Sequence, residues 1–273
     1  MVMASDNELL EDLESIAIAA GQLILKIRAT DFAVEHKGDA SPVTEADKAA
    51  EMIILGALRG RYPQWPCVAE EEVSAGHIPE RLTSSFFLVD ALDGTKEFVS
   101  GSADFTVNIA LIRDQIPVVG VVYAPAHHVM FAGRPGRAEL VELSEAQTIT
   151  SRRQISVRTA PDRPVVVASR SHRSPATDAF VARIVGADVV AIGSSLKFCK
   201  IAAGEADIYP RFGRTMEWDT AAGDAVLRAA GGCAVSMDGK PLTYGTRTQQ
   251  GNVDFANPDF VAAGTHSFLP RLG

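Results

Sequence analysis

The chain has 273 residues, with 34 acidic and 26 basic side chains and a formal net charge of −8. That balance argues against duplex nucleic acid and anionic membrane surfaces as partners, because both repel a net anion. Hydrophobic residues make up 47% and charged residues 22%, which excludes the disordered, collagen-like and coiled-coil classes and predicts a buried core.

Cys67, Cys199 and Cys233 are far apart with no C-x-x-C pair, so neither a zinc site nor a disulfide framework is encoded and reduced thiols are expected. The opening MVMASDNELLEDLE lacks the basic start and apolar block of a signal peptide, and no apolar run of about 18 residues follows. A cytoplasmic location is expected, with peripheral membrane association left open. The adjacent His127 and His128 diverge if they lie on a strand and read as surface histidines.

In chain order, Leu9, Leu13, Ile16, Ala20, Leu23 and Ile27 recur at helical spacing, predicting a helix over 8–28. After the extended FAVEHK, Thr44 precedes a second periodic run that ends at Gly60 and Pro63. Four strand-like segments follow: WPCVAEE, SSFFLVD, DFTVNIALI and IPVVGVVYAP, the last two joined as a hairpin by Arg113, Asp114 and Gln115. Residues 133–164 are polar, with GRPGR and RTAPDRP, and read as irregular and as the domain junction. Beyond them strands and helices alternate: PVVVASR, a helix near 176–185, DVVAI, a helix from about Leu196, ADIYP, and a helix over 218–230. The expected class is mixed α+β and α/β, with two subdomains, 1–145 and 146–273, sharing a cleft.

The chemistry concentrates at strand ends. The apolar strand FFLVD runs into Asp90-Ala91-Leu92-Asp93-Gly94-Thr95. Two carboxylates three residues apart across a turn repel unless a proton or cation intervenes, and a hard divalent cation takes oxygen ligands. A solvated Asp-Gly turn is the plain alternative. The three-residue spacing does not match the aspartyl-nucleophile phosphatases, whose two Asp are two positions apart. Glu70, Glu71 and Glu72 end another short strand, either as a solvated face or as a second acidic strand end. Asp219 sits at a helix start, a favoured capping place. Thr44 and Asp47 have capping-box spacing. Gly193, Ser194, Ser195 and Lys197 open a helix, as a cap or as an anion seat with a cation inside it, and Arg211 offers a planar fork suited to phosphate. Ser169, Arg170, Ser171 and His172 follow the strand PVVVA, at the end where sheet ligands collect.

Taken together, SPVTEAD, AEEE, VDALDGTKEF and EWDTAAG, in this order and spacing, resemble the lithium-sensitive, magnesium-dependent phosphatases of the inositol monophosphatase superfamily. The resemblance spans nearly the whole chain. Ala91 departs from the family pattern, where proline is usual; its loss costs about 0.4 to 1 kcal/mol of turn preorganisation if the backbone suits proline, and removes no ligand. LDGTKEF, FTVNIALI, GVVYAP, SRSH, IGSSLKFC, YPRFG and WDTAAG are most similar to the 3′(2′),5′-bisphosphate nucleotidase branch.

The resemblance implies a layered αβαβα sandwich of the sugar-phosphatase type around a metal-containing cleft. It implies one Mg²⁺ held by Glu70, Asp90 and the Leu92 carbonyl and a second held by Asp90, Asp93 and Asp219, with Glu71 either standing behind these ligands in the catalytic machinery or assisting a weaker third ion. Thr95, paired with Asp47, would activate the attacking water directly, without a phosphoenzyme. Gly94 and Thr95 would cradle the scissile phosphate; Gly193, Ser194, Ser195, Lys197 and Arg211 would take a second phosphate; Ser169, Arg170 and His172 would border the nucleoside. The implied reaction is hydrolysis of the 3′-phosphate of 3′-phosphoadenosine 5′-phosphate, or of its sulfated analogue, as in sulfate assimilation. The rivals are an inositol or sugar monophosphatase and a noncatalytic metal- or nucleotide-binding protein. A monomer is favoured over a dimer.

Overall fold

The computed structural model describes residues 5–36, 42–171, 174–247 and 253–269. Helix α1 (Asp6–Arg28) begins two residues before the predicted start because Ser5 and Glu8 close a capping box, each side chain taking the other's backbone N–H. A short ribbon of β1 (Val34–His36) and β2 (Pro42–Thr44) leads into α2 (Glu45–Arg61), whose own box is the predicted Thr44 and Asp47 pair.

Seven strands form the first sheet: β3 (Cys67–Ala69), β4 (Ser85–Asp93), β5 (Thr106–Arg113), β6 (Ile116–Ala124), β7 (Val129–Arg134), β8 (Arg137–Leu143) and β9 (Ile149–Ile155), in that spatial order. Only β3 and β4 are parallel; every other neighbour is antiparallel. The predicted hairpin between β5 and β6 turns at Asp114 and Gln115, both with positive φ of 49° and 65°, the backbone handedness that suits a two-residue turn between twisted strands. Short helices α3 (Glu70–Ser74) and α4 (Thr95–Val99) leave the ends of β3 and β4.

A second sheet has five strands in the order β11 (Asp188–Ile192), β10 (Val165–Ser169), β12 (Ile208–Arg211), β14 (Phe260–Ala263), β13 (Cys233–Ser236). Helices α5 (Pro175–Val181), α6 (Leu196–Ala202) and α7 (Glu217–Ala229) are the remaining α-helices among the described residues. The apolar faces of α1 and α2 cover one side of the first sheet with Leu13, Ile24, Ile54 and Leu58. Its other side shares a core with α6, α7 and the inner face of the second sheet, through Phe86, Phe131, Phe198, Val226 and Phe260. Val181 of α5 packs with Val166, Ile208 and Val261 on the outer face. The layers therefore run α, β, α, β, α as expected.

Helix α7 lies on bare backbone. Gly120 and Gly133 face each other across β6 and β7, and a Cβ at either would sit 2.6 Å from the Ala222 carbonyl oxygen or the Val226 Cα. Glycine is required at both for the helix to approach this closely.

The expectation that 133–164 is irregular fails. Pro135 and Gly136 form a hairpin turn between β7 and β8, and β9 follows. β9 has exposed side chains at six of its seven positions, so no apolar alternation marks it. The expected boundary at 145/146 falls between β8 and β9, two paired strands of one sheet. The helix expected near 176–185 stops at Val181.

Candidate active site

Parallel pairing of β3 with β4 sets the acidic centre. Ala69 is in register with Val89, so the residues that follow, Glu70 and Asp90, leave the sheet side by side at the carboxyl ends of their strands. Beyond Asp90 the ladder to β5 shifts register before resuming at Asp93. In that bulge the Leu92 N–H donates to Asp90 Oδ1 at 3.0 Å, and Ala91 and Leu92 turn into the core. The side chain of Ala91 thus points away from the site, as expected for a position that supplies no ligand.

Helix α7 brings the third acid. One carboxylate oxygen each from Glu70, Asp90 and Asp219 lies within 4.8 Å of the others. Asp219 Oδ2 also accepts the Met216 N–H at 2.8 Å, so helix capping and a place in the cluster coexist. Desolvation in the cleft, then the charges of Asp93 and Glu70, push the Asp219 carboxyl well above the usual range. Three converging hard oxygen donors in a half-dry cleft, mutually repelling, match the donor set of a Mg²⁺-type cation.

Asp93 stands beside this trio rather than within it. Its Oδ2 accepts from Ser195 Oγ at 2.7 Å and lies 3.4 Å from Asn108 Nδ2. Burial raises its pKa against the opposing pull of Lys197. Ser195 Oγ is also 2.6 Å from the Asp219 carbonyl oxygen and accepts from Asn108 Nδ2 at 2.9 Å. Its one proton serves Asp93 or Asp219 at a time.

Thr95 opens α4 after Gly94, whose φ is 93°. Its hydroxyl is 2.9 Å from Asp47 Oδ1 and 3.2 Å from the Leu92 carbonyl oxygen. Asp47 Oδ2 takes the Thr44 N–H at 2.8 Å and the Thr44 hydroxyl at 2.6 Å. Burial raises the Asp47 carboxyl, partly offset by these bonds. One carboxylate therefore caps α2 and holds Thr95.

A cleft of about 310 Å³ is lined by Glu70, Asp90, Leu92, Asp93, Gly94, Thr95 and Asp219 together with Ser169, Ser194, Ser195, Lys197 and Arg211; Ser195, bonded to Asp93 and Asp219, joins the acids to the Ser194-Lys197 segment. Asp47 stands behind Thr95, Glu71 turns along α3, and Gly193 lies outside the lining. Arg170 is directed at Asp104, 2.7 Å away, and not at the cleft. His172 lies outside the described residues. Lys197 and Arg211 are 5% and 7% exposed, so both cations are buried. Burial pushes Lys197 down to about 8, against the attraction of Asp93. Its ammonium donates to the Ser194 carbonyl oxygen and sits 5.2 Å from the centre of the Tyr209 ring.

Three polar residues escaped the sequence reading. Glu51, on the apolar stripe of α2, accepts the N–H groups of Glu71 and Glu72 at 2.8 and 2.9 Å; burial pushes its carboxyl up to about 7. Asn108 interrupts the apolar run of β5 and joins Asp93 to Ser195. Glu97 lines the cleft and accepts from Ser171 at 2.5 Å. A polar residue inside an otherwise apolar period is the signal that marks Glu51 and Asn108.

The Inositol monophosphatase family matches residues 6–265. The chain is 41% identical over 254 residues to the 3′(2′),5′-bisphosphate nucleotidase CysQ of Escherichia coli K12, covering 92% of this chain and 98% of that one. It is 42% identical, with the same coverage, to CysQ of Salmonella typhimurium. Among solved structures, CysQ from Bacteroides thetaiotaomicron superposes with a TM-score of 0.74 and 32% identity, over 94% of this chain and 98% of that one. With that fold, that acidic cleft and similarity running from end to end, the chain belongs to the inositol monophosphatase family.

Proposed function

We propose that this protein is a magnesium-dependent 3′(2′),5′-bisphosphate nucleotidase that hydrolyses 3′-phosphoadenosine 5′-phosphate to AMP and inorganic phosphate. The observation that carries the reading is one cleft lined both by converging carboxylates and by the buried cations Lys197 and Arg211. Such a lining suits a substrate with two phosphates, one met by metal-binding acids and one by the cations. The similarity to bisphosphate nucleotidases over 92% of the chain supports the same reading.

Glu70, Asp90 and the Leu92 carbonyl would hold one Mg²⁺, and Asp90, Asp93 and Asp219 a second, with Glu71 near a weaker third. Bound there, Mg²⁺ supplies charge neutralisation at the phosphate and lowers the pKa of water. The side chains of the chain do the positioning. Thr95 accepts the proton of the attacking water while its own hydroxyl proton is directed to Asp47 Oδ1, and the capping bonds from Thr44 keep that carboxylate oriented. The backbone at Gly94 and Thr95 seats the scissile phosphate, so that water enters opposite the 3′-oxygen and no side chain is phosphorylated. Ser194, Ser195, Lys197 and Arg211 bind the second phosphate, with Gly193 behind them and Ser169 bordering the nucleoside. The sulfated analogue fits the same seats.

We place the protein in the cytoplasm as a monomer; no helix among the described residues is long and apolar enough to cross a membrane. The division into two subdomains we assign to the change of sheet after β9.

A phosphate-release panel tests the reading: the adenosine bisphosphate, its sulfated analogue, inositol 1-phosphate and fructose 1,6-bisphosphate, each with Mg²⁺ and with added Li⁺. The bisphosphate nucleotides should give the highest kcat/KM, and Li⁺ should inhibit. Faster turnover of inositol 1-phosphate would make the protein an inositol phosphatase, and Mg²⁺-independent silence on all four would make it a binding protein.

A further inference from the structure

The Gly193-Ser194-Ser195 turn is held in a costly shape. Ser194 has a φ of 48°, a left-handed conformation that a residue with a Cβ seldom adopts and that persists only where the surroundings fix it. Those surroundings converge on Asp104, in the loop between α4 and β5. A Cβ added to Gly193 would lie 2.8 Å from Glu97 Cγ and 2.9 Å from both the Cβ and the carbonyl oxygen of Asp104; one added to Gly94 would lie 2.9 Å from that same carbonyl oxygen. Asp104 is thus wedged between the glycines that open the two turns of the cleft.

Its carboxylate extends the hold on one of them. Oδ2 accepts the Gly193 N–H at 3.4 Å and meets the Arg170 guanidinium at 2.7 Å, while Oδ1 is 2.9 Å from His127 Nε2. Arg170 in turn donates to the Ala191 carbonyl oxygen at 3.3 Å and to Ser102 Oγ at 3.1 Å. The bond to Gly193 is long and weak by itself. The ion pair is the stronger link, since a charged guanidinium and carboxylate at this distance bond about twice as strongly as neutral groups. The chain on either side of Ile192 is therefore gripped twice, at Ala191 through Arg170 and at Gly193 by Asp104.

We propose that Asp104 is a positioning residue that fixes the Gly193-Ser195 turn through Arg170, and thereby sets the preference for a nucleotide with two phosphates over one with a single 3′-phosphate. This rests on the reading of that turn as part of the second phosphate seat. Neither Asp104 nor Arg170 touches substrate in this scheme.

The test compares wild type, Asp104→Ala, Asp104→Asn and Arg170→Gln on 3′-phosphoadenosine 5′-phosphate and on adenosine 3′-phosphate, which has the same scissile bond without the second phosphate. Asp104→Ala should raise KM for the bisphosphate about fivefold to tenfold, the scale of one charge-assisted contact, with kcat changed less than about twofold and adenosine 3′-phosphate unaffected. Asn, which keeps an acceptor for Gly193 but offers Arg170 no charge, should fall between, and Arg170→Gln should follow it. Equal losses on both substrates, a loss in kcat alone, or wild-type constants throughout overturn the inference. If Asp104→Ala fails to fold by circular dichroism, the Asn and Gln variants decide by the same substrate ratio. A wild type with no preference for the bisphosphate sinks the second-phosphate reading and the inference with it; a preference that all three variants leave intact sinks the inference alone.

Discussion

The acids and the buried cations that line the cleft, its acidic and cationic walls, are built on opposite electrostatic terms. The acidic wall, from β3, β4 and the start of α7, crowds like charges at strand ends, and burial drives Asp219 and Asp93 toward protonation. Hydrogen bonds from Leu92, Ser195 and Met216 and the charge of Lys197 offset only part of that repulsion. The cations are held by neutral groups: Lys197 reaches the Ser194 carbonyl oxygen and the Tyr209 ring, and Arg211 donates to the Arg214 carbonyl oxygen at 2.8 Å. The difference teaches that the acids are set against one another, whereas the two cations are set among carbonyl oxygens and an aromatic ring.

The largest break in this contrast comes from Asp90→Asn. The amide still accepts the Leu92 N–H, so the bulge survives, but a cluster charge is gone. Phosphate release should fall by about a thousandfold or more, the scale of several kcal/mol of charge stabilisation. The midpoint of thermal unfolding without Mg²⁺ should stay level or rise, because repulsion is relieved; a drop there would contradict the account of that wall.

Thr95→Val keeps shape and removes only the hydroxyl. A fall in kcat of about a hundredfold is expected, with KM little changed, read from steady-state kinetics on the bisphosphate. Lys197→Met, on the other wall, should instead raise KM for the bisphosphate about tenfold and leave adenosine 3′-phosphate nearly untouched. If both variants lose kcat and KM alike, the walls are not separable.

The smallest effect is thermal. A cation relieving the acidic wall binds the folded state, so Mg²⁺ at about one hundred times its Kd adds about 2.7 kcal/mol, or about 5 to 10 °C in Tm for a chain of this size. Differential scanning calorimetry of wild type against Asp90→Asn checks it, with the variant's increment greatly reduced.

Much of this contrast was legible in the residues. The helical stripes, the Thr44 and Asp47 box and the βα alternation after residue 164 carry strong local periodicity. The acidic residues were legible because each follows an apolar strand or opens a helix. β9 was not, since an edge strand with both faces in water has no apolar alternation, and the Pro135-Gly136 turn looks the same in a hairpin as in a linker. Nor could spacing reveal that Asp93 turns to Ser195 while Asp219 joins Glu70 and Asp90, because that depends on how α7 docks on a sheet built from residues 67–155. The burial of Lys197 was hidden likewise, as nothing local distinguishes it from an exposed lysine at a helix start.

The glycine pair beneath α7 gives the site a remote adjustment. Gly120 and Gly133 are far from the acids along the chain, yet they set the height at which α7 rides over the sheet, and Asp219 travels with the helix. A single methyl at residue 120 would force the helix up by roughly an ångström to reach ordinary contact distance, from the 2.6 Å that such a Cβ would have. Because that lift would move Asp219 relative to Glu70 and Asp90 without altering any donor, the spacing of the acidic cluster is set in part from two positions that carry no side chain at all.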